Sequence, residues 1–238
     1  MQYTGSKRRI AKDILPIMLK KRGSRVWVEP FVGGANLIDK VEGRRIGSDS
    51  NHYLIALLKA LQNGWLPPTT ITEKEHKAIK AAPEWYDPAI VAAALIGCSF
   101  AAKWGRGYAR GNASDGSPRN HAEEFYNNVK AQAPNLKGIE FHACSYDELV
   151  IPPNSLIYCD PPYAGANYYK DKFDHDRFWG WCREKAKDGH VVYVSEYSAP
   201  DDFLCVWQKE INANLSNKTT AGAQKKAVEK LFTYDELF

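Results

Sequence analysis

The chain has 238 residues, of which 44% are hydrophobic and 25% are charged, and its formal net charge is +4 at pH 7. This composition is ordinary for a globular protein, and no apolar run approaches the roughly 20 residues of a membrane-spanning helix. The mild positive charge permits a nucleic-acid partner without requiring one. Because the N-terminal stretch MQYTGSKRR lacks the apolar core of a signal peptide, we expect a cytoplasmic protein. Five cysteines without a C-x-x-C pair predict free thiols rather than zinc ligands.

The first quarter of the chain predicts the start of a parallel, nucleotide-binding sheet. A short apolar strand over 25–29 is followed by PFVGGAN and then by LIDKV, which predicts the start of a helix. A second strand over 45–49 ends in an acid, and leucines at helical spacing predict a helix over 51–64. A strand, a glycine turn, a helix, a strand and an acid in this order are typical of such sheets.

From residue 65 the pattern changes to helices interrupted by prolines and to a glycine-rich, basic segment, GRGYARGNASDGSPRN. Strand patterns return at 139–143, 155–160 and 190–195, and a closing hairpin is predicted from 204–211 and 231–234. We therefore expect a sheet domain of residues 1–64 and 139–238, interrupted by a mostly helical insertion over 65–138.

The glycine turn in VEPFVGGAN is neither G-x-G-x-x-G nor a P-loop. Gly33 and Gly34 allow a close backbone approach, but the missing third glycine and lysine argue against a diphosphate ligand. Asp49, at the end of the next strand, lies where an acid hydrogen-bonds ribose hydroxyls in such folds. The pair of features predicts nucleoside binding, with a tight structural turn as the alternative.

The stretch YCDPPYAG places an acid, two prolines and a tyrosine directly after an apolar strand. Prolines cannot continue a central strand, so the strand ends there and leaves Asp160 and Tyr163 at its carboxyl end. That edge is where open α/β sheets bind ligands. Taken alone, the pattern is equally compatible with a strand that simply ends in a turn.

Together these motifs resemble the Dam-type, D12 class DNA adenine N6-methyltransferases, which use S-adenosylmethionine. The resemblance covers nearly the whole chain, matches 65–138 only loosely, and rests on stretches in the family's order: YTGSK (Tyr3–Lys7), VEPFVGGAN (Val28–Asn36), GSDSN (Gly47–Asn51), CSYDEL (Cys144–Leu149), YCDPPY (Tyr158–Tyr163), SEY (Ser195–Tyr197) and KKAVEKLF (Lys225–Phe232). It implies a Rossmann-like, seven-stranded class I methyltransferase sheet of the α/β class, with the helical insertion as the DNA-recognition region. It also implies a set of cofactor contacts: Tyr3, Lys7, Phe31, Gly33, Gly34, Asp49, Ser145, Tyr146 and Asp160.

The resemblance assigns the chemistry to Asp160, Pro161, Pro162 and Tyr163. The Asp160 carboxylate and the Pro161 carbonyl would each accept a proton of the adenine amine, which frees the nitrogen lone pair. The Tyr163 ring would stack on a base flipped out of the duplex. No metal is required. The alternatives are cytosine N4 methylation, whose enzymes usually carry serine at the position of Asp160, and a DNA-binding protein that has lost catalysis.

The basic segment of the insertion is expected to contact double-stranded DNA, with a solvated loop as the alternative. The candidate DNA-binding residues are Lys103, Arg106, Arg110, Asn112 and Arg119. The loop 167–170 and the polar stretch 214–226 are further candidates for contact with the base or the phosphates. Asp174 is predicted to cap a helix that begins near His175 rather than to bind a metal. We expect a monomer or weak dimer in the nucleoid, either solitary or part of a restriction-modification pair.

Overall fold

The computed structural model describes residues 1–163, 173–212 and 226–234, with only the backbone described at 211, 212, 226 and 227. The described residues form seven strands: β1 Trp27–Glu29, β2 Arg45–Ser48, β3 Ile139–His142, β4 Leu156–Cys159, β5 Val191–Glu196, β6 Phe203–Asn212 and β7 Lys226–Tyr234. They form six α-helices: α1 Ala11–Leu19, α2 His52–Gln62, α3 Glu73–Ala81, α4 Pro88–Ala92, α5 His121–Leu136 and α6 His175–Lys187. The strands make one mixed sheet in the order β3-β2-β1-β4-β5-β7-β6, so the predicted α/β class with a seven-stranded sheet is confirmed.

The chain divides into two compact units. The first unit comprises Met1–Lys12 and Phe31–Leu149, and the second comprises Asp13–Pro30 and Val150–Phe238. The division of the sequence into a catalytic part and an insertion over 65–138 stays a prediction.

In the first unit, β2 and β3 pair in parallel, with Arg45 opposite Ile139. Helix α2 follows β2 and begins where the Asn51 side chain accepts a hydrogen bond from the Leu54 N–H at 3.2 Å. Its leucines at 54, 57, 58 and 61 are buried, as their spacing predicted, and the chain leaves the helix at Gly64 with φ of +88°.

The prediction of a helix at LIDKV is wrong. Only one 3₁₀ turn forms, Ile38–Lys40, and Val41 is already extended. Side chains bind the backbone that leads into this turn, while the Ala35 carbonyl still accepts the Asp39 N–H at 3.4 Å. The Gln132 amide donates to the carbonyls of Gly34 and Ala35, each at 3.1 Å, and the Lys40 ammonium donates to the carbonyl of Asn36 at 2.6 Å.

The expected helical content of residues 65–138 is present in α3, α4 and α5. Helix α3 starts with a capping box in which the Thr72 hydroxyl accepts the Glu75 N–H at 3.2 Å and the Glu75 carboxylate accepts the Thr72 N–H at 2.7 Å. Pro88 occupies the first turn of α4 behind the Asp87 cap. These helices share one apolar core, which includes Ile71, Ile79, Val91, Ala94, Leu95, Cys98 and Ala122.

In the second unit, β4 lies between β1 and β5 and pairs in parallel with both. All four residues of β4 are buried, as predicted for a central strand. Strand β7 runs antiparallel between β5 and β6, which confirms the predicted hairpin. Helix α6 begins as predicted, because Asp174 accepts a hydrogen bond from the Arg177 N–H at 2.9 Å, and the helix buries Phe178, Trp179 and Trp181.

Two further findings concern the described residues alone. All five cysteines lie among them and are free thiols. No helix found in them has the length and apolar character needed to cross a bilayer.

Candidate active site

The glycine turn of the first unit lies against the ring of Tyr3. Gly33 has φ of +48°, and a Cβ there would come within 3.0 Å of the Tyr3 ring. A Cβ at Gly34 would lie 2.8 Å from Tyr3 Cβ and 2.7 Å from Asn36 Nδ2, distances that real contacts do not reach. The two glycines are therefore required by the close approach of Tyr3, a residue that the sequence placed in the same proposed site.

Asp49 joins this turn to the start of α2. Its Oδ2 accepts a hydrogen bond from the Gly33 N–H at 3.1 Å, and its Oδ1 accepts one from the Asn51 N–H at 2.9 Å. Burial raises the pKa of this carboxyl, although the two backbone N–H groups act in the opposite direction. Each oxygen keeps a second lone pair, so the carboxylate can still accept hydrogen bonds from hydroxyl groups of a ligand.

Two aromatic side chains from the predicted cofactor set meet in the same unit. The rings of Phe31 and Tyr146 stack with centroids 5.3 Å apart at an angle of 25°. The neighbouring Ser145 donates its backbone N–H to Glu148 Oε2 at 3.0 Å. Lys7 is buried, and its ammonium donates to the Gly5 carbonyl at 3.1 Å. The first unit thus combines a carboxylate, a glycine turn and flat apolar rings, which suit a nucleoside.

The predicted catalytic turn follows β4 directly in the second unit. Pro161 is buried, whereas Asp160, Pro162 and Tyr163 are partly exposed. Burial raises the pKa of Tyr163 well above its usual value, and the negative charge of Asp160 is the next cause. The pKa of the buried Tyr158 is raised for the same two reasons. The charge of Asp160 therefore acts on both tyrosines. Because the pKa of each is raised, both hydroxyls stay protonated.

The Tyr163 side chain is held at two points. Its hydroxyl donates to Glu229 Oε2 at 2.7 Å, and its ring meets that of Tyr197 edge to face, with centroids 4.6 Å apart at 84°. Tyr197 belongs to SEY, one of the stretches on which the resemblance rests, whereas Glu229 was assigned no role. The only available signal was its place within KKAVEKLF, one of the stretches that carry the resemblance.

A second buried acid of this unit was also missed. Glu29, the last residue of β1, is 3% exposed, and its Oε1 accepts a hydrogen bond from the indole N–H of Trp27 at 2.8 Å. The Trp27 ring in turn stacks on Tyr158 at 6.4 Å. Glu29 lies at the carboxyl end of its strand, as Asp160 follows the carboxyl end of β4.

The predicted DNA-binding residues lie on exposed or partly exposed parts of the first unit. Arg110 donates to both carboxylate oxygens of Glu73 at 2.7 Å, and Arg119 donates to Glu124 at 2.8 Å. Lys103 and Arg106 lie in a short loop whose ends are joined by an antiparallel β-bridge between Ser99 and Tyr108. A second β-bridge joins Asn112 to Pro118. Exposed ion pairs of this kind contribute little stability, so the arginines can exchange a carboxylate for a phosphate.

Some predictions fall outside the residues that the structure describes. These are the loop 167–170 and all but the last residue of the polar stretch 214–226, of which only the backbone of 226 is described. In the described ranges, no group of three or more His, Cys, Asp or Glu side chains could hold a metal ion.

Comparison with known proteins identifies the first part of the chain. The family model described as D12 class N6 adenine-specific DNA methyltransferase matches residues 3–84, which include Tyr3, Lys7, the glycine turn and Asp49. No curated protein matches the chain. Over this stretch the recognition of the motifs is thereby confirmed, and residues 3–84 are similar to the D12 class N6 adenine-specific DNA methyltransferases.

Proposed function

We propose that this protein transfers a methyl group from S-adenosylmethionine to N6 of adenine at a specific site in duplex DNA. The family match over the glycine turn and Asp49 carries the proposal, since DNA adenine methylation is the activity of that family. The turn Asp160–Tyr163, which lies beyond the match, supplies groups that suit the chemistry.

The proposed cofactor site is built from residues of the first unit. Asp49 would accept hydrogen bonds from the ribose hydroxyls, because its oxygens are held in place by the N–H groups of Gly33 and Asn51. The stacked rings of Phe31 and Tyr146 would offer a flat apolar surface to the adenine ring of the cofactor. Tyr3, Lys7, Gly34 and Ser145 complete the proposed set. When bound, S-adenosylmethionine supplies a methyl group on a positively charged sulfur.

Asp160 and Pro161 of the second unit would orient the amine of the target base. The exocyclic nitrogen of adenine is a poor nucleophile because its lone pair is delocalised into the ring. One N–H would donate to the Asp160 carboxylate and the other to the Pro161 carbonyl, so both acceptors are in place before reaction. The carboxylate also stabilises the positive charge that develops on the nitrogen.

Tyr163 would hold the target base after it leaves the duplex. Flipping costs a few kcal/mol, and stacking on an aromatic ring returns roughly 1–3 kcal/mol. The Tyr163 hydroxyl is engaged by Glu229, so the ring rather than the hydroxyl is the surface offered to a base.

The DNA itself would lie on the basic segment of the first unit. We assign phosphate or base contacts to Lys103, Arg106, Arg110, Asn112 and Arg119, on the strength of their charge and exposure. We further propose a monomer or weak dimer associated with the nucleoid, acting alone or beside a restriction enzyme.

The test uses plasmid DNA from a host without DNA methyltransferases and isotopically labelled S-adenosylmethionine. The product is digested to nucleosides and analysed by mass spectrometry, with Asp160→Ala prepared in parallel to expose contaminating activity. Labelled N6-methyladenine from the wild type alone supports the proposal. Labelled N4-methylcytosine overturns the choice of base, and no transfer despite measurable cofactor binding favours the inactive DNA-binding alternative.

A further inference from the structure

Glu229 occupies a fixed position on the buried side of β7. The strand pairs with β6 through Lys209 opposite Glu229 and with β5 through Glu196 opposite Lys230. Glu229 is 7% exposed, whereas its neighbour Val228 is 37% exposed, as expected when successive side chains point to opposite faces of a sheet. The carboxylate is therefore carried by a strand that pairs with β6 at Glu229 and with β5 from the next residue, Lys230.

This carboxylate meets the hydroxyl of Tyr163 at 2.7 Å. Burial and the charges of Asp160 and Glu229 raise the pKa of Tyr163, so the hydroxyl stays protonated and donates a hydrogen bond to Glu229. A hydrogen bond to a charged acceptor at this distance belongs to the stronger class. It fixes the far end of the tyrosine ring.

The ring of Tyr197 provides a second restraint on Tyr163. The two centroids are 4.6 Å apart and the rings are nearly perpendicular, the favoured edge-to-face arrangement. A side chain with two rotatable bonds that is held at its tip and along its ring has little freedom left. Such a ring is oriented before any base arrives.

We propose that Glu229 is a positioning residue for methyl transfer, which acts by holding Tyr163 in the orientation that stacks on the target base. The inference rests on the proposed function. It assigns to β7 a role in catalysis through another side chain, without contact between Glu229 and the substrate.

The test measures single-turnover methylation of duplex DNA by Glu229→Leu, Glu229→Gln, Tyr163→Phe and the double variant Tyr163→Phe/Glu229→Leu. Glu229→Leu removes the acceptor and should slow methyl transfer about tenfold to a hundredfold, as expected for the loss of a hydrogen bond to a charged group. Glu229→Gln keeps an acceptor oxygen and should recover most of the rate. The double variant should be no slower than Tyr163→Phe. Glu210→Gln, on the exposed face of β6, is the matched control and should leave the rate unchanged.

Two outcomes overturn the role. One is a wild-type rate for Glu229→Leu, and the other is a double variant whose loss is the product of the two single losses, since residues that act through one hydrogen bond cannot be additive. A melting temperature for each variant separates unfolding from slow chemistry. If Glu229→Leu does not fold, Glu229→Ala, which also removes the acceptor, gives the same cycle with Tyr163→Phe.

A second readout does not depend on activity. In protein carrying ¹³Cζ-tyrosine, the Tyr163 signal is assigned by its loss in Tyr163→Phe, and its titration is followed by NMR. Removing the Glu229 charge should lower the pKa of Tyr163 in Glu229→Gln, because that charge is one of the causes that raise it. An unchanged pKa overturns the contact itself. An inactive wild type with the expected titration instead overturns the proposed function.

Discussion

Asp160 is expected to matter for the chemical step and not for binding of DNA. Asp160→Ala removes one of the two acceptors proposed for the adenine amine. The rate of single-turnover methylation should therefore fall about a hundredfold to a thousandfold. The dissociation constant for duplex DNA should change little, because the proposed DNA contacts lie in the basic segment. Asp176→Asn, an exposed acid in the first turn of α6, is the control. A near-wild-type rate for Asp160→Ala would contradict the proposed role.

A second residue-scale prediction concerns the glycine turn. Gly34→Ala places a Cβ 2.8 Å from Tyr3 Cβ, so Tyr3 or the turn must shift. We expect a loss of about 1–3 kcal/mol in the free energy of unfolding and weaker binding of S-adenosylmethionine, measured by denaturant titration and calorimetry. Gly180→Ala in α6 is the matched control, since a Cβ there meets nothing within 4 Å; it should stabilise the protein by about 0.5–1 kcal/mol. Equal effects of both substitutions would rule out the Tyr3 contact as the cause.

Secondary structure elements were predictable where their own residues set their limits. Asp174 caps the start of α6 and Gly64 follows the end of α2, and both signals lie within a few residues of the element. The segment LIDKV, expected as a helix, forms one 3₁₀ turn next to the carbonyls of Gly34 and Ala35, which bind Gln132 almost a hundred residues away in the chain. No local pattern contains that interaction. The same limit explains Glu229, whose partner Tyr163 lies 66 residues earlier.

The basic segment gives a prediction at the scale of an element. Arg106→Ala and Arg110→Ala should each weaken DNA binding, and each should reduce by about one the slope of log affinity against log salt concentration. Arg110 is held by Glu73, so Glu73→Gln should release the guanidinium and raise DNA affinity. Binding is measured by fluorescence anisotropy at several salt concentrations. Unchanged binding in both arginine variants would place the DNA elsewhere on the protein.

For the whole molecule, the sequence indicated the strands and the contiguous motifs more fully than the contacts that support them. The strand, glycine turn and acid that precede α2, and the acid and tyrosine after β4, were found because each motif is contiguous. Side chains that hold these motifs come from distant segments, as Tyr3 does for Gly34 and Glu229 for Tyr163. Their partners are chosen by tertiary packing, which spacing along the chain does not encode.

One buried and two partly buried histidines should make the folded protein less stable as the pH falls below about 6.5, their ordinary pKa. Burial is the largest cause that lowers the pKa of His76, His121 and His190. Between the lowered folded pKa and the ordinary one, the unfolded chain binds more protons, so the free energy of unfolding drops with the pH. His76 also pairs with Ser99 at 3.0 Å, and the Ser155 N–H donates to His190 Nδ1 at 3.0 Å, a bond that protonation at Nδ1 breaks.

Asp49 changes the free energy of unfolding with pH in the opposite direction. Its pKa is raised in the folded state, so the stability that its protonated form contributes is lost as the pH rises. The histidine effect is therefore isolated by difference. Urea unfolding is measured at pH 7.5 and 5.5 for the wild type and for His190→Gln, whose amide oxygen can still accept from Ser155. We expect the loss between the two pH values to be smaller in His190→Gln. An equal loss in both proteins would show that His190 is already charged, or exposed, in the folded state.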